Sequence, residues 1–457
     1  MIHKHSLLFG IGLLFIFLCS CSSEDTYVPL AIQTNPDTAN GTANAVLEID
    51  IFLNDVNIPA NGLLELSSTN HGTVIISDIN VTPENLNDDI VIYTPNPNYI
   101  GDDTFQYTIC PNNDTTLCKT ETVTITITPN STVVFDLSEV PYGTLSEYHF
   151  FEGELKELNP VDGVLPYDLN SPLFSDYAHK KRFVWMPYNA KASYENDYSP
   201  LDFPTGAVLI KNFYYENVLP NNTTKILETR IMYKKEDGWD FAKYVWNEEQ
   251  TEATFTNEGS FVNLSWIQNN QTKTTNYRIP SRAECFTCHN KFGTPLPIGP
   301  KPQNLNKNYT YPDETSNQLN KWIATGYLED NLPSSIVSTV NYEDATQPLE
   351  TRARSYLDIN CAHCHSERSY CEYRPMRFAF HENDDDTNIG ICVTPETQID
   401  PYTKIIVPNN IGLSLLHFRI STTLEQYRMP LLGRTIKHDE GVRLIEEWIN
   451  SLTTQCN

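Results

Sequence analysis

The chain has 457 residues, enough for about two to four domains with cores of their own. Its 31 basic against 58 acidic residues leave a formal net charge of -27. That balance excludes nucleic acid and anionic lipid surfaces as partners reached by charge attraction, and favours basic partners.

Residues 1–20 carry a short basic start, an apolar run and small residues before Cys21, the pattern of a secretory signal. The ending LCSC resembles a bacterial lipobox, which implies cleavage before Cys21, a diacylglycerol on its thiol and an outer-membrane protein tethered by lipid alone. Glu24 and Asp25 resemble the surface-export tag of such lipoproteins, and leave the periplasmic and surface faces both open. Residues 21–42 lack apolar periodicity and are expected to be anchor and tether.

From 43 to 130, short alternating runs such as VLEIDIFL, DIVIYT and TVTITIT are separated by Asn, Asp, Pro and Gly clusters. They predict an all-β sandwich. The strings VIYTPNPNYIGDDTFQYTIC and TVTITITP resemble bacterial Ig-like or cadherin-like repeats. Asp55, Asp102 and Asp103 are read as solvated loop carboxylates in preference to calcium ligands. Residues 133–275 hold aromatic strand-like runs, RFVWMPY, AVLIKNFYYE and ILETRIMYKK among them, and predict a middle β-rich domain. Helical periodicity appears only later, in SNQLNKWIATGYL, TRARSYLDINCAHCH and DEGVRLIEEWINSL. In the last of these Val442, Ile445, Trp448, Ile449 and Leu452 share a face, with Asp439 as N-cap. The expected remainder is a mainly α unit, divided into 276–345 and 346–457, in which Tyr356 or Leu357 packs on Trp448.

Each of the last two segments contains CxxCH. Cys285, Cys288 and His289 form the first copy, and Cys361, Cys364 and His365 the second. Two thiols on one turn can each join a haem vinyl group while the next histidine reaches the iron, so two haem c groups are expected. A disulfide redox couple or half a zinc site would not ask for that histidine. After His365, the order CxxCH helix, Met429-Pro430 loop and terminal helix resembles a mono-haem cytochrome c domain and gives Met429 as the second iron's sixth ligand. No Met or His lies between His289 and Cys361. The first sixth ligand must therefore come from Met186, Met232, Met376, His149, His179, His381, His417 or His438, with Met186 and His179 preferred, or be absent. Of the other cysteines, Cys110 with Cys118 and Cys371 with Cys392 bracket loops and are disulfide candidates, which leaves Cys456 over.

The strings GVLPYDLNSPLFSDYAHKKRFVWMP, DFPTGAVLIKNF, ECFTCHN, PIGPKPQNLN and RARSYLDINCAHCH resemble a family of bacterial diheme c-type cytochromes over about residues 133–455. The resemblance implies haem attachment at Cys285, Cys288, Cys361 and Cys364, axial ligation by His289 and His365, and electron transfer with an unidentified redox partner protein. It supplies no substrate. Two other functions compete with an electron carrier: a haem enzyme, peroxidase-like or substrate-oxidising, with an open first iron, and an adhesion or glycan-binding lipoprotein using the β-domain aromatics. GxSxG, HExxH, P-loop and dinucleotide motifs are absent, and the acidic run Glu382 to Asp386 reads as a solvated loop.

Overall fold

A computed structural model describes residues 31–97, 99–112 and 114–456. The signal segment, Cys21, Glu24 and Asp25 lie outside the described residues. The chain divides into two compact units, one ending at Ile127 and one beginning at Thr128.

The first unit is a two-sheet β-sandwich. Strands β1 (Asp37–Thr42), β7 (Lys119–Thr128), β6 (Gly101–Cys110) and β3 (Leu63–Leu66) form one sheet in that order. Strands β2 (Leu47–Ile49), β5 (Asp89–Pro95) and β4 (Gly72–Asp78) form the other. Alternation places Phe105, Tyr107, Val123, Ile125 and Ile127 in the core between them, with Tyr93 from the facing sheet. The sandwich begins earlier than the polar sequence suggested. β1 lies within the expected tether, and Ile32 is already buried. An edge strand covered on one face needs few apolar residues, so DTANGT carries little periodic signal. Asp103 is also not a solvated carboxylate. It is 3% exposed and accepts from Tyr93 Oη at 2.9 Å and the His71 amide at 2.9 Å.

The second unit is built on an antiparallel sheet. Strands β8 (Leu165–Tyr167), β9 (His179–Trp185), β10 (Val208–Val218), β11 (Thr223–Lys235), β12 (Gly238–Trp246) and β13 (Ala253–Phe255) pair in sequence order. A hairpin of β14 (Ser260–Gln268) and β15 (Gln271–Ile279) attaches through β10. One face buries Phe183, Ile210, Ile231 and Ala242 against residues 145–164. The other carries Val184, Leu209, Met232 and Phe241 into a core shared with Trp322, Tyr356, Ile445 and Trp448. The β-rich segment and both CxxCH segments, expected as separate domains, therefore share one core.

The C-terminal third is also less helical than expected. The α-helices used below are α1 (Arg282–Cys288), α2 (Gln318–Ala324), α3 (Leu349–Leu357), α4 (Leu415–Ser421) and α5 (Asp439–Ser451), joined by long irregular stretches such as 363–385. Pro, Gly and Asn are dense in another such stretch, 290–317, where their turn preferences interrupt helix propagation. In α5 the expected face is buried through Val442, Ile445, Trp448 and Ile449, but the N-cap is His438, with Asp439 inside the first turn. Tyr356 of α3 meets the start of α5: its hydroxyl lies 3.3 Å from His438 Nδ1, and a Cβ at Gly441 would collide with its ring.

The disulfides also differ in part. Cys110 and Cys118 are bonded. Cys392 is joined to Cys456, leaving Cys371 free. The expected Cys371–Cys392 pair is corrected because the chain terminus returns to Cys392, an approach that sequence spacing does not encode. No helix among the described residues is long and apolar enough to cross a membrane.

Candidate functional site

The first CxxCH sits on α1, which follows β15 directly. Ser281 and Glu284 form a reciprocal capping box, and Glu284 is also held by Arg278, so the start of this short helix is fixed from two sides. Cys285 and Cys288 occupy its last turn and His289 caps it. His289 Nδ1 lies 2.8 Å from the Leu296 carbonyl oxygen. A carbonyl only accepts, so Nδ1 carries the proton and Nε2 keeps its lone pair. Burial lowers this imidazole to about 3, against the opposing pull of the Leu296 bond. Phe241 meets it edge-on with centroids 5.2 Å apart.

The second CxxCH continues from α3 through a widened π turn over Asp358–Ala362, a distortion common at functional sites. The turn is secured by Asp358, 3% exposed, whose carboxylate accepts from the Phe380 amide at 3.0 Å and Gln303 Nε2 at 3.2 Å. His365 is lowered to about 4 by burial first, and then by its neighbours His363, Arg374, Arg377 and Arg419. Its Nδ1 is buried and has no protein partner, and Phe378 stands 5.5 Å away, edge to face.

Cavities accompany both sites. One of about 380 Å³ is bounded by Cys361, Cys364, His365, Met376, Leu416 and Met429. A second, of about 140 Å³, is bounded by Cys285, Cys288, His289, Met232, Leu209 and Phe241. A third, of about 250 Å³, touches His289 and Cys288 from the side of His381 and Trp239. Cys288 and His363 belong to the walls of all three. At that shared wall, donor atoms of Cys288, His363 and Cys364 lie within 4.8 Å of one another. Cys288 is lowered well below the usual thiol range, first by its hydrogen bond with Cys364 and then, against burial, by His363, while Cys364 is raised. His363, the inner residue of CAHCH, carries no sequence signal of its own. Its role emerges only because α1 and the π turn converge.

Met429 lines the cavity of His365, as does Met376. Of the remote donors considered for the first site, Met232 lines the cavity that holds both cysteines and His289. The preferred Met186 is packed in apolar core, 2% exposed. The preferred His179 lies against Tyr214, with ring centroids 5.3 Å apart. His417 is bound to Glu446 at 2.7 Å, and His438 stacks on Phe174 at 4.1 Å. The sequence offers Met232 as one donor among eight without preferring it, and the fold makes it a cavity wall.

The family model of the bacterial Ig domain matches residues 28–128, in agreement with the first unit's two-sheet architecture, so an Ig-like domain precedes the β-rich unit. No curated protein matches the chain.

Proposed function

We propose that the chain is an exported, lipid-anchored diheme c-type cytochrome that passes electrons between a membrane-associated redox partner and a second acceptor or donor. The observation that carries this reading is that two half-buried histidines held neutral by desolvation, each beside two free cysteines, border neighbouring cavities that meet at Cys288 and His363. The donor chemistry fits haem c: both thiols of each CxxCH are left unpaired while Cys110, Cys118, Cys392 and Cys456 are bonded and Cys371 is free, and the imidazoles are held unprotonated by desolvation. Haem c supplies reversible one-electron iron chemistry when bound.

On this reading Cys285 and Cys288 hold one group, and Cys361 and Cys364 the other. His289 and His365 present ring nitrogens, with the Leu296 carbonyl setting the orientation of His289. Met429 would be the methionine donor to the second group and Met232 to the first, since each lines the cavity of the matching histidine, and such a pair would favour a carrier over an enzyme. Segment 346–457 then serves as the cytochrome c-like part despite its short helices. The Ig-like domain is a spacer between the lipid on Cys21 and the redox unit, at either face of the outer membrane.

The cluster of Cys288, His363 and Cys364 supports a second reading, a soft-metal site with two thiolates and an imidazole. A pyridine haemochrome count, metal analysis and EPR on protein matured through an export route separate the two. Two haems with low-spin signals support the cytochrome carrier. One high-spin iron supports the enzyme reading, and one zinc or copper per chain without haem supports the cluster.

A further inference from the structure

Across the middle of the large sheet, four cationic residues stand directly opposite one another on consecutive antiparallel strands. Arg182 of β9 pairs with Lys211 of β10, Lys211 with Arg230 of β11, and Arg230 with Lys243 of β12. Directly opposed residues share a face with Cβ atoms about 5 Å apart, and like charges in that arrangement repel. Such a row persists only with counter-charge nearby. Arg182 has Asp168 at 2.8 Å, Arg230 has Glu228 at 2.5 Å, and Lys243 donates to the carbonyls of Pro280, at 2.9 Å, and Glu258. Lys211 differs. Among the described residues its ammonium has no ion pair or hydrogen bond, only the Phe213 ring with its centroid 5.0 Å away. The nearby acids are engaged, Glu228 by Arg230 and Tyr277 and Glu284 by Arg278 and Ser281.

The next row on the same face is apolar. Leu209 pairs with Met232, and Met232 with Phe241. Both rows line the cavity that also contains Cys285, Cys288 and His289. That space therefore offers an apolar wall against the CxxCH helix and, one strand step of about 7 Å further on, a cationic edge of Lys211, Arg230 and Lys243. Those are the two surfaces that a flat apolar ring bearing carboxylates requires. Burial and the neighbouring charges of Arg182, Lys180 and Arg230 hold Lys211 well below the usual ammonium range, a penalty that an anion at its head would relieve.

We propose that this cationic row is a carboxylate-binding edge, with Lys211 as the receiving residue, and that its occupant is the propionate end of the haem attached at Cys285 and Cys288. The inference rests on the diheme reading, and Lys211 acts as a positioning and potential-setting residue. Lys211→Met removes the positive charge while keeping the side chain's bulk, and Lys211→Arg keeps the charge. Both are made in the full-length exported protein, with haem counted first and the two midpoint potentials then titrated with and without succinate.

The expected result is two haems in every variant. In Lys211→Met, the reduction equilibrium constant of one haem falls about tenfold, the size expected of one charge about 12 Å from the iron at an effective dielectric near 20. Lys211→Arg and succinate leave it near wild type. Unchanged potentials in a fully loaded Lys211→Met protein overturn the proposal while leaving the cytochrome reading intact. A succinate-induced shift that requires Lys211 supports the carboxylate edge and overturns the propionate as its occupant. If the wild-type protein holds no haem, the diheme reading fails on its own. Calorimetry with succinate on that haem-free protein then decides the edge, by Lys211-dependent binding or by none.

Discussion

Arg434 donates from Nε to the carbonyl oxygen of Met429 at 2.9 Å, and the Met429 amide donates to the carbonyl of Arg419 at 2.9 Å. The same guanidinium reaches the carbonyls of Arg419 and Thr422, each at 2.9 Å, and is only 3% exposed. One buried side chain thus ties the methionine loop to the end of α4, and the position of Met429 depends on it.

Arg434→Ala leaves several buried carbonyls without a donor, at about 1–3 kcal/mol for each that water cannot reach. The expected loss is about 3 kcal/mol in urea unfolding, together with, on the diheme reading, the far-red band of methionine-ligated ferric haem. An unchanged band would mean that the loop is held by something other than Arg434.

Met429 and Met376 line the same cavity, but only Met429 is pinned through both its amide and its carbonyl. On the diheme reading, Met429→Ala is expected to abolish methionine ligation at the second haem, lower its potential and leave haem content unchanged. Met376→Ala should preserve both ligation and potential. The reverse pattern would transfer the ligand assignment to Met376.

The bond between Cys392 and Cys456 closes a loop with a sequence separation of 64, for which chain entropy gives about 4 kcal/mol of stabilisation. Cys456→Ser should lower stability by roughly that amount in denaturant titration of the oxidised protein. Cys371→Ser breaks no bond and should cost distinctly less, about 1 kcal/mol, as for an ordinary substitution at a buried position. Equal losses in the two variants would reopen the pairing.

Burial depresses His438 to about 4 from an ordinary 6.5. Because the folded value is the lower one, the unfolded chain takes up a proton first. The stability contribution is complete above pH 6.5 and is lost as pH falls through 4. In protein lacking haem, His289 and His365 act in the same direction. The urea midpoint is expected to fall between pH 6.5 and 4, with a shallower slope in His438→Gln. A slope unchanged by that substitution would show that His438 does not take part.

Asp176, 1% exposed, accepts from the Thr435 amide at 2.7 Å, Thr435 Oγ1 at 2.7 Å and the Ile436 amide at 3.1 Å. It thereby joins the turn before β9 to the segment leading into α5. Asp176→Asn puts an amide nitrogen among donors and is expected to cost about 2–3 kcal/mol, as for hydrogen bonds to a charged group. Thermal unfolding measures the loss, and an unchanged midpoint would show that this link adds nothing to stability.

The sequence by itself determined what is local or periodic. Strand alternation marked the Ig-like sandwich and the β-rich segment, and the apolar face of α5 followed from a spacing of three and four. CxxCH brings two sulfurs and an imidazole onto one helical turn whatever surrounds it, and the short separation of Cys110 from Cys118 made their bond legible. Tertiary structure alone decided which distant segments share space. It placed Met232, rather than Met186 or His179, in the wall of the cavity that holds His289, brought Cys456 back to Cys392, and set Cys288 against His363 and Cys364. It also aligned Arg182, Lys211, Arg230 and Lys243 into one row. The physical reason is that these contacts depend on strand register and on how helices dock on a sheet, where a slip of one residue reverses every face. Periodicity shows that a residue is inward, and only the packed core shows what it faces.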